Sequence, residues 1–413
     1  MKSKFTLFTL FLFVFSSLAF AQGIVNDIKI DTLKKYLREL SGDTQAIIDG
    51  NTYTILTRNT NNKNSNYIAA KYIKFRLQSY GLTVTEQVFN YNGGVAEAKN
   101  VYAVQQGSLY PNKKFIICAH FDNMPGGSTA PGADDNGSGT VAVLEAARII
   151  SKLNPKYTIV YALWSGEEQG LLGSQYFAAA AKAAQDDIVG VINMDMIAWD
   201  ADFDNNVEIY YRAGVQQALM DAMLNKLTAV NTGYGLGLVV RKIPSVSANS
   251  DHYPFIDRGY PGFLMIEEFS DFNNYYHTVN DNYTNIFAYM GFFEKCAKLA
   301  IISLAELSGA VQVPAATDEI AAIPTGLILH QNYPNPFNPS TVISYDLKEG
   351  SNVKLQVYDA LGREVKTLVN EYKPAGNHRV LFSVESSSAT SGVYFYKLQT
   401  GASMMMKKMV YLK

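Results

Sequence analysis

The chain has 413 residues, 48% of them hydrophobic and 17% charged, with a formal net charge of −2. This length and apolar content suit two or three packed domains and exclude a mainly disordered chain, and the balanced charge offers no basic excess for nucleic acid. Two Cys exclude a disulfide scaffold or a Cys-ligated zinc finger, and with only five His the position of each is informative.

In chain order, Met1-Lys2-Ser3-Lys4, an apolar run over residues 5–15 and Ala19-Phe20-Ala21 read as a secretory signal over residues 1–21. The run is short for a bilayer, and no later stretch approaches 18 uninterrupted apolar residues. No stable membrane span is therefore expected after signal removal. Loss of Lys2 and Lys4 would leave a net charge near −4.

Residues 22–310 alternate helical and strand patterns. Helical spacing covers 67–77, 139–150, 216–227 and 286–307, while 101–105, 115–119, 158–164 and 188–194 are short apolar runs typical of buried strands. The alternation predicts a three-layer α/β/α domain around a mostly parallel sheet. In such sheets ligands gather beyond the carboxyl ends of the strands. Cys118, in one of these strands, and Cys296, in the last helix, read as buried free thiols.

Three of those strands run into candidate metal ligands: His120 with Asp122 two residues on, Ser165-Gly166-Glu167-Glu168, and Asp195. Gly132-Ala133-Asp134-Asp135-Asn136-Gly137-Ser138-Gly139 precedes a helix, and Tyr276-His277-Thr278-Val279-Asn280-Asp281 precedes the last one. Two imidazoles and several carboxylates at one sheet edge suit Zn²⁺, and one carboxylate can bridge two ions about 3.5–4 Å apart. Of the adjacent Glu167 and Glu168, one can coordinate while the other moves protons. Asp122 is spaced to orient His120 through its second ring nitrogen.

These stretches, together with Ser250-Asp251-His252, run in order across residues 115–281 and resemble the secreted di-zinc aminopeptidases. That metallopeptidase family also includes glutamate carboxypeptidases and glutaminyl cyclases. The resemblance implies two Zn²⁺ ions bridged by Asp135, with Glu168 and His277 completing one site and His120 and Asp195 the other. It implies that Glu167 is the general base for a zinc-activated water attacking a peptide substrate. Asp251 and His252 are expected to hydrogen-bond to each other near the substrate pocket, and Asp281 to support His277 or the following helix. The expected function is an exported aminopeptidase. A carboxypeptidase or dipeptidase would need basic groups near the site, for which Arg212, Arg241 and Lys242 are candidates. A glutaminyl cyclase or a non-catalytic surface adhesin are further alternatives.

Residues 311–326, rich in Ala, Pro and Thr, read as a linker. Residues 327–413 carry short alternating segments at 342–347, 353–358, 378–382 and 393–398, which predict a small all-β sandwich. The stretch 333–341, Val357-Tyr358-Asp359-Ala360-Leu361-Gly362-Arg363-Glu364, Ser391-Gly392-Val393-Tyr394-Phe395-Tyr396 and Lys407-Lys408-Met409-Val410 resemble the C-terminal sorting domain of the type IX secretion system. That resemblance implies engagement of the secretion machinery, export through the periplasm and outer membrane, and a secreted or cell-surface location.

Overall fold

The computed structural model describes residues 24–91, 94, 96–245, 250–310, 327–332, 335–347, 350–373, 376–384, 391–401 and 403–412. The signal at 1–21 and the linker at 311–326 lie outside the described residues. The chain divides into two compact units, Met1–Pro314 and Ala315–Lys413. No helix among the described residues is long and apolar enough to cross a membrane.

In the first unit, helix α1 (Ile30–Leu40) leads through strands β1 (Ala46–Ile48) and β2 (Asn51–Tyr53) to α2 (Lys63–Ser79). The Asn62 side chain accepts from the Ser65 N–H and caps α2 at its start. There follow β3 (Val84–Tyr91), β4 (Ala96–Gln105), β5 (Tyr110–His120), α3 (Gly139–Ile150), β6 (Tyr157–Trp164), α4 (Leu172–Ala183) and β7 (Asp187–Met194). The unit continues with β8 (Asn206–Tyr211), α5 (Gln217–Gly233), β9 (Val239–Pro244), β10 (Gly262–Glu267) and α6 (Met290–Leu307). The helix expected over 286–307 is broken at its start: a short helix, Tyr283–Ile286, and a 3-10 turn, Phe287–Tyr289, precede α6.

Eight strands form one sheet in the order β3-β4-β6-β5-β7-β10-β8-β9. Its centre, β6-β5-β7-β10, is parallel throughout, and antiparallel pairs occur toward the edges, at β3-β4, β4-β6 and β10-β8. Alternate residues of β5 face opposite layers. Ile117 and Ala119 join a core with α1, α2, α3, α5 and α6, whereas Ile116 and Cys118 join one with α4 and Phe255. Helices on both faces explain why the central strands are apolar without a break. Cys118 and Cys296 are both buried free thiols.

In the second unit β11 (Ile328–Leu329), β12 (Ser340–Leu347) and β15 (Gly376–Ser383) form one antiparallel sheet. A second comprises β14 (Glu364–Lys373), β13 (Ser351–Asp359), β16 (Gly392–Gln399) and β17 (Met404–Tyr411). One apolar core, with Phe337, Tyr345, Leu355, Tyr396 and Met409, draws on both sheets.

Candidate metal centre

Parallel pairing places the carboxyl ends of the central strands at one edge. In register, His120 pairs with Trp164 across β5-β6, Cys118 with Asn193 across β5-β7, and Met194 with Met265 across β7-β10. His120, the Glu167-Glu168 turn and Asp195 therefore leave the sheet side by side. Asp135 arrives from the turn before α3. There Asn136 donates through Nδ2 to the Met194 carbonyl at 2.9 Å and accepts from Gly139 N–H at 2.9 Å. A side chain at Gly139 would collide with Asn136 and the Met194 carbonyl, so this turn requires glycine there.

The structure brings His120, Asp135, Glu167, Glu168, Asp195 and His277 into one cluster. His120 Nε2 lies 3.1 Å from Asp195 Oδ1, 3.4 Å from Asp135 Oδ1 and 4.0 Å from Glu167 Oε2. His277 Nε2 lies 3.2 Å from Asp135 Oδ2 and 3.0 Å from Glu168 Oε2. Each oxygen of Asp135 thus faces a different imidazole. Three overlapping triads result, His120–Asp135–Asp195, Asp135–Glu168–His277 and His120–Glu167–Glu168, within each of which ligand atoms lie inside 4.8 Å of one another.

The surrounding contacts explain these orientations. His120 Nδ1 lies 3.1 Å from the Asp122 backbone carbonyl. A carbonyl can only accept, so Nδ1 carries the proton and Nε2 is left to face the cluster. The Asp122 carboxylate stands 3.7 Å from that nitrogen. It accepts instead from the N–H groups of Glu167 at 3.2 Å and Glu168 at 3.3 Å, and from Thr60 Oγ1 at 3.1 Å. Its carboxylate therefore holds the Glu167-Glu168 turn, and its carbonyl holds the imidazole.

Asp122 thus meets the second ring nitrogen of His120 as expected, through its carbonyl, while Asp281 accepts from the backbone N–H of Asp134 at 3.0 Å and of Asp135 at 2.9 Å, fixing the Asp135 turn. The expected Asp251–His252 hydrogen bond is absent. Both side chains are buried, and Asp251 Oδ1 and Oδ2 and His252 Nδ1 find no hydrogen-bond partner at ordinary geometry among the described residues. From that motif Ser250 reaches the site, donating to Asp195 Oδ2 at 2.6 Å while accepting from Asn193 Nδ2 at 2.8 Å. Sequence reasoning passed over Ser250 and Asn193 as site residues, although Ser250 stands in a quoted motif and Asn193 in the apolar run 188–194.

Crowded carboxylates raise one another's proton affinity. Burial, partly countered by His120 and reinforced by Asp195, pushes Glu167 well above the usual carboxylate range. Burial and Asp135 push Glu168 up to about 7. Burial opposes the charged form of His277, but hydrogen bonds to Asp135 and Glu168 outweigh it and raise the imidazole to about 10. For His120, burial is likewise outweighed by Asp195 and Glu167, and the net shift is upward. Four clustered carboxylates share two imidazoles, and buried Glu168 Oε1 has no hydrogen-bond partner. Mixed imidazole and carboxylate donors with an excess of negative charge suit zinc.

A cavity of about 410 Å³ opens on the cluster, lined by His120, Asp135, Glu167, Asp195 and His277 together with Met196, Ile266, Phe269, Phe272 and Tyr276. Tyr276 stacks on the His277 ring, with centroids 3.7 Å apart. None of these lining residues is Lys or Arg. Arg241 is paired with Glu208 at 3.2 Å and with Glu268, and Arg212 packs over the Tyr253 ring, 3.9 Å from Asp257.

A sheet-edge cluster of His and carboxylates over an α/β core is the layout of a metal-dependent hydrolase. Residues 100–298 match peptidase family M28, and residues 331–412 match the secretion system C-terminal sorting domain. The chain carries an M28 zinc peptidase domain followed by a sorting domain that directs secretion. A probable zinc metalloprotease of Pyrenophora tritici-repentis is 27% identical, over 69% of this chain and 70% of that protein. Leucine aminopeptidase 1 of Ajellomyces capsulatus is 33% identical, over 42% of this chain and 48% of that one. The Legionella pneumophila LapA aminopeptidase shares the fold with a TM-score of 0.57 at 22% identity, covering 70% of this chain and 75% of its own. A Fimbriiglobus ruber glutaminyl cyclase shares it with a TM-score of 0.53 at 16% identity, covering 67% and 95%.

Proposed function

We propose that the protein is an exported aminopeptidase that would hold two zinc ions, with Asp135 shared between them, Glu168 and His277 completing one site and His120 and Asp195 the other. The observation that carries this reading is the placement of the two Asp135 oxygens, 3.4 and 3.2 Å from the two imidazoles. Bound zinc supplies a Lewis acid and lowers the pKa of water toward neutrality. Glu167 lines the cavity and belongs to neither of the two triads that contain Asp135, so its carboxylate would be placed to take a proton from water and pass it to the leaving amine.

The cavity also argues for which end of a peptide enters. No Lys or Arg lines it, so no cationic side chain there would hold a C-terminal carboxylate. The apolar and aromatic part of the lining suits a large apolar first side chain. None of the basic candidates Arg212, Arg241 and Lys242 lines the cavity, and Arg241 is paired with Glu268, which disfavours the carboxypeptidase reading. The sorting domain supports export through the periplasm and outer membrane, with the peptidase acting in the extracellular space or at the cell surface on peptides.

The deciding experiment compares an N-acetylated with a C-amidated leucyl peptide, with and without chelator. Hydrolysis of the second alone, lost on chelation and restored by zinc, is expected. Cleavage of the acetylated peptide from its C-terminus would overturn the aminopeptidase reading. Cyclisation of an N-terminal Gln peptide without hydrolysis would establish the cyclase instead.

A further inference from the structure

Arg58 lies in the segment between β2 and α2, outside the residues matched to the peptidase family, and is fully buried. A buried guanidinium is costly unless its donors are satisfied. Among the described residues no carboxylate lies within ion-pair distance of it, and its partners are main-chain carbonyls. Nε donates to Phe121 at 2.6 Å, Nη1 to Leu40 at 3.0 Å and Pro131 at 2.6 Å, and Nη2 to Gly132 at 2.7 Å.

The identity of those carbonyls is informative. Phe121 directly follows His120, and Pro131 and Gly132 open the turn that delivers Asp135. Leu40 closes α1. The Arg58 backbone joins the same assembly: its N–H donates to Asn123 Oδ1 at 3.0 Å, and Asn123 Nδ2 donates to Ala130 at 2.5 Å. Asn66 Nδ2 in turn donates to the Arg58 carbonyl at 2.7 Å. A planar fork with several fixed donors can span such diverging acceptors, whereas the single ammonium of Lys cannot. Its charge also sits where the fields of Asp281, Asp135, Asp122 and Glu168 act on it.

We propose that Arg58 is a positioning residue for the metal centre: its guanidinium ties the strand end bearing His120 to the turn bearing Asp135 and sets their separation before any ion arrives. The inference rests on the metal-centre reading above. It adds a residue that touches neither substrate nor metal and lies in a part of the chain outside the family match.

The test uses the full chain, with Arg58→Lys and, as a comparator, Arg76→Lys, whose parent side chain pairs with Glu39 at 2.6 Å and contacts none of the cluster. Zinc affinity by chelator competition, the visible spectrum of the cobalt-substituted protein and Tm are measured for each. Arg58→Lys is expected to weaken zinc binding by about 10–100-fold, the range for residues that orient ligands, and to alter the cobalt spectrum. Arg76→Lys is expected to lower Tm with zinc affinity unchanged. Unchanged zinc affinity and cobalt spectrum in a folded Arg58→Lys variant would overturn the inference alone. Absence of zinc binding by the parent chain would overturn the metal-centre reading and the inference with it. Should Arg58→Lys not fold, hydrogen exchange of the parent chain after chelation decides. The N–H groups of Ala133 and Gly137, which donate to Asp281 and Gly132 carbonyls at 3.0 Å each, stay protected if the clamp pre-orders the turn. Their free exchange in the metal-free protein would overturn the inference.

Discussion

Ser250 donates its hydroxyl to Asp195 Oδ2 at 2.6 Å, leaving Oδ1 to face His120 Nε2 at 3.1 Å. One oxygen is held by the protein and the other is presented to the cluster. Removing the hydroxyl frees the carboxylate to rotate. Ser250→Ala is expected to weaken zinc binding by about 10–100-fold. Chelator competition checks this, with near-native Tm showing that the fold is kept.

Glu167 is 14% exposed in its side chain and stands 4.0 Å from His120. Glu167→Gln keeps the shape and removes the proton acceptor. The expected outcome is a loss of about 10²–10⁴-fold in kcat with zinc content unchanged, the usual range for a general base. Near-full turnover in a zinc-loaded variant would remove Glu167 from the mechanism.

Zinc affinity should rise with pH. In the metal-free protein Glu168 is raised to about 7 from 4.5, and His277 to about 10 from 6.5. Both folded values exceed the unfolded ones, so the folded metal-free chain binds more protons across these windows. The stability these groups contribute is present below the unfolded values and is lost as pH rises, through about 7 for Glu168 and about 10 for His277. Coordination requires both groups deprotonated, so binding releases protons and tightens with pH. The gain in Tm on adding zinc should be larger at about pH 8 than at about pH 5.5, as scanning calorimetry would show.

Helix α1 belongs to the enzyme core. Leu33, Leu37 and Leu40 are fully buried in the main apolar cluster, and the Leu40 carbonyl accepts from Arg58. Leu37→Ala is expected to cost about 2–5 kcal/mol, as other buried Leu truncations do. Urea denaturation measures it. A loss below about 0.5 kcal/mol, the level of a surface substitution, would show that α1 is dispensable.

The apolar runs ending at His120, Trp164 and Met194 were legible because a strand buried on both faces has to be apolar at every position. Strands β3, β8 and β9 escaped notice: their burial is partial, and Val239 at the sheet edge is half exposed. Strand β10 is buried throughout and apolar up to Glu267, but a run of six residues does not by itself distinguish strand from helix. The break before α6 has no Pro or Gly between Tyr283 and Tyr289 to announce it.

Residue type and order by themselves determined the chemistry at the strand ends: imidazoles and carboxylates that can hold zinc, spaced along a chain that alternates strand and helix. Tertiary structure decided what each neighbour does. Asp122 turned its carboxylate to the Glu167-Glu168 turn, Asp281 clasped the Asp135 turn, Ser250 rather than His252 reached Asp195, and Arg58 joined segments more than 60 residues distant in sequence. These are hydrogen bonds between residues far apart along the chain. Their partners are chosen by which polar groups the packed fold brings together unpaired, and local sequence spacing carries no record of that choice.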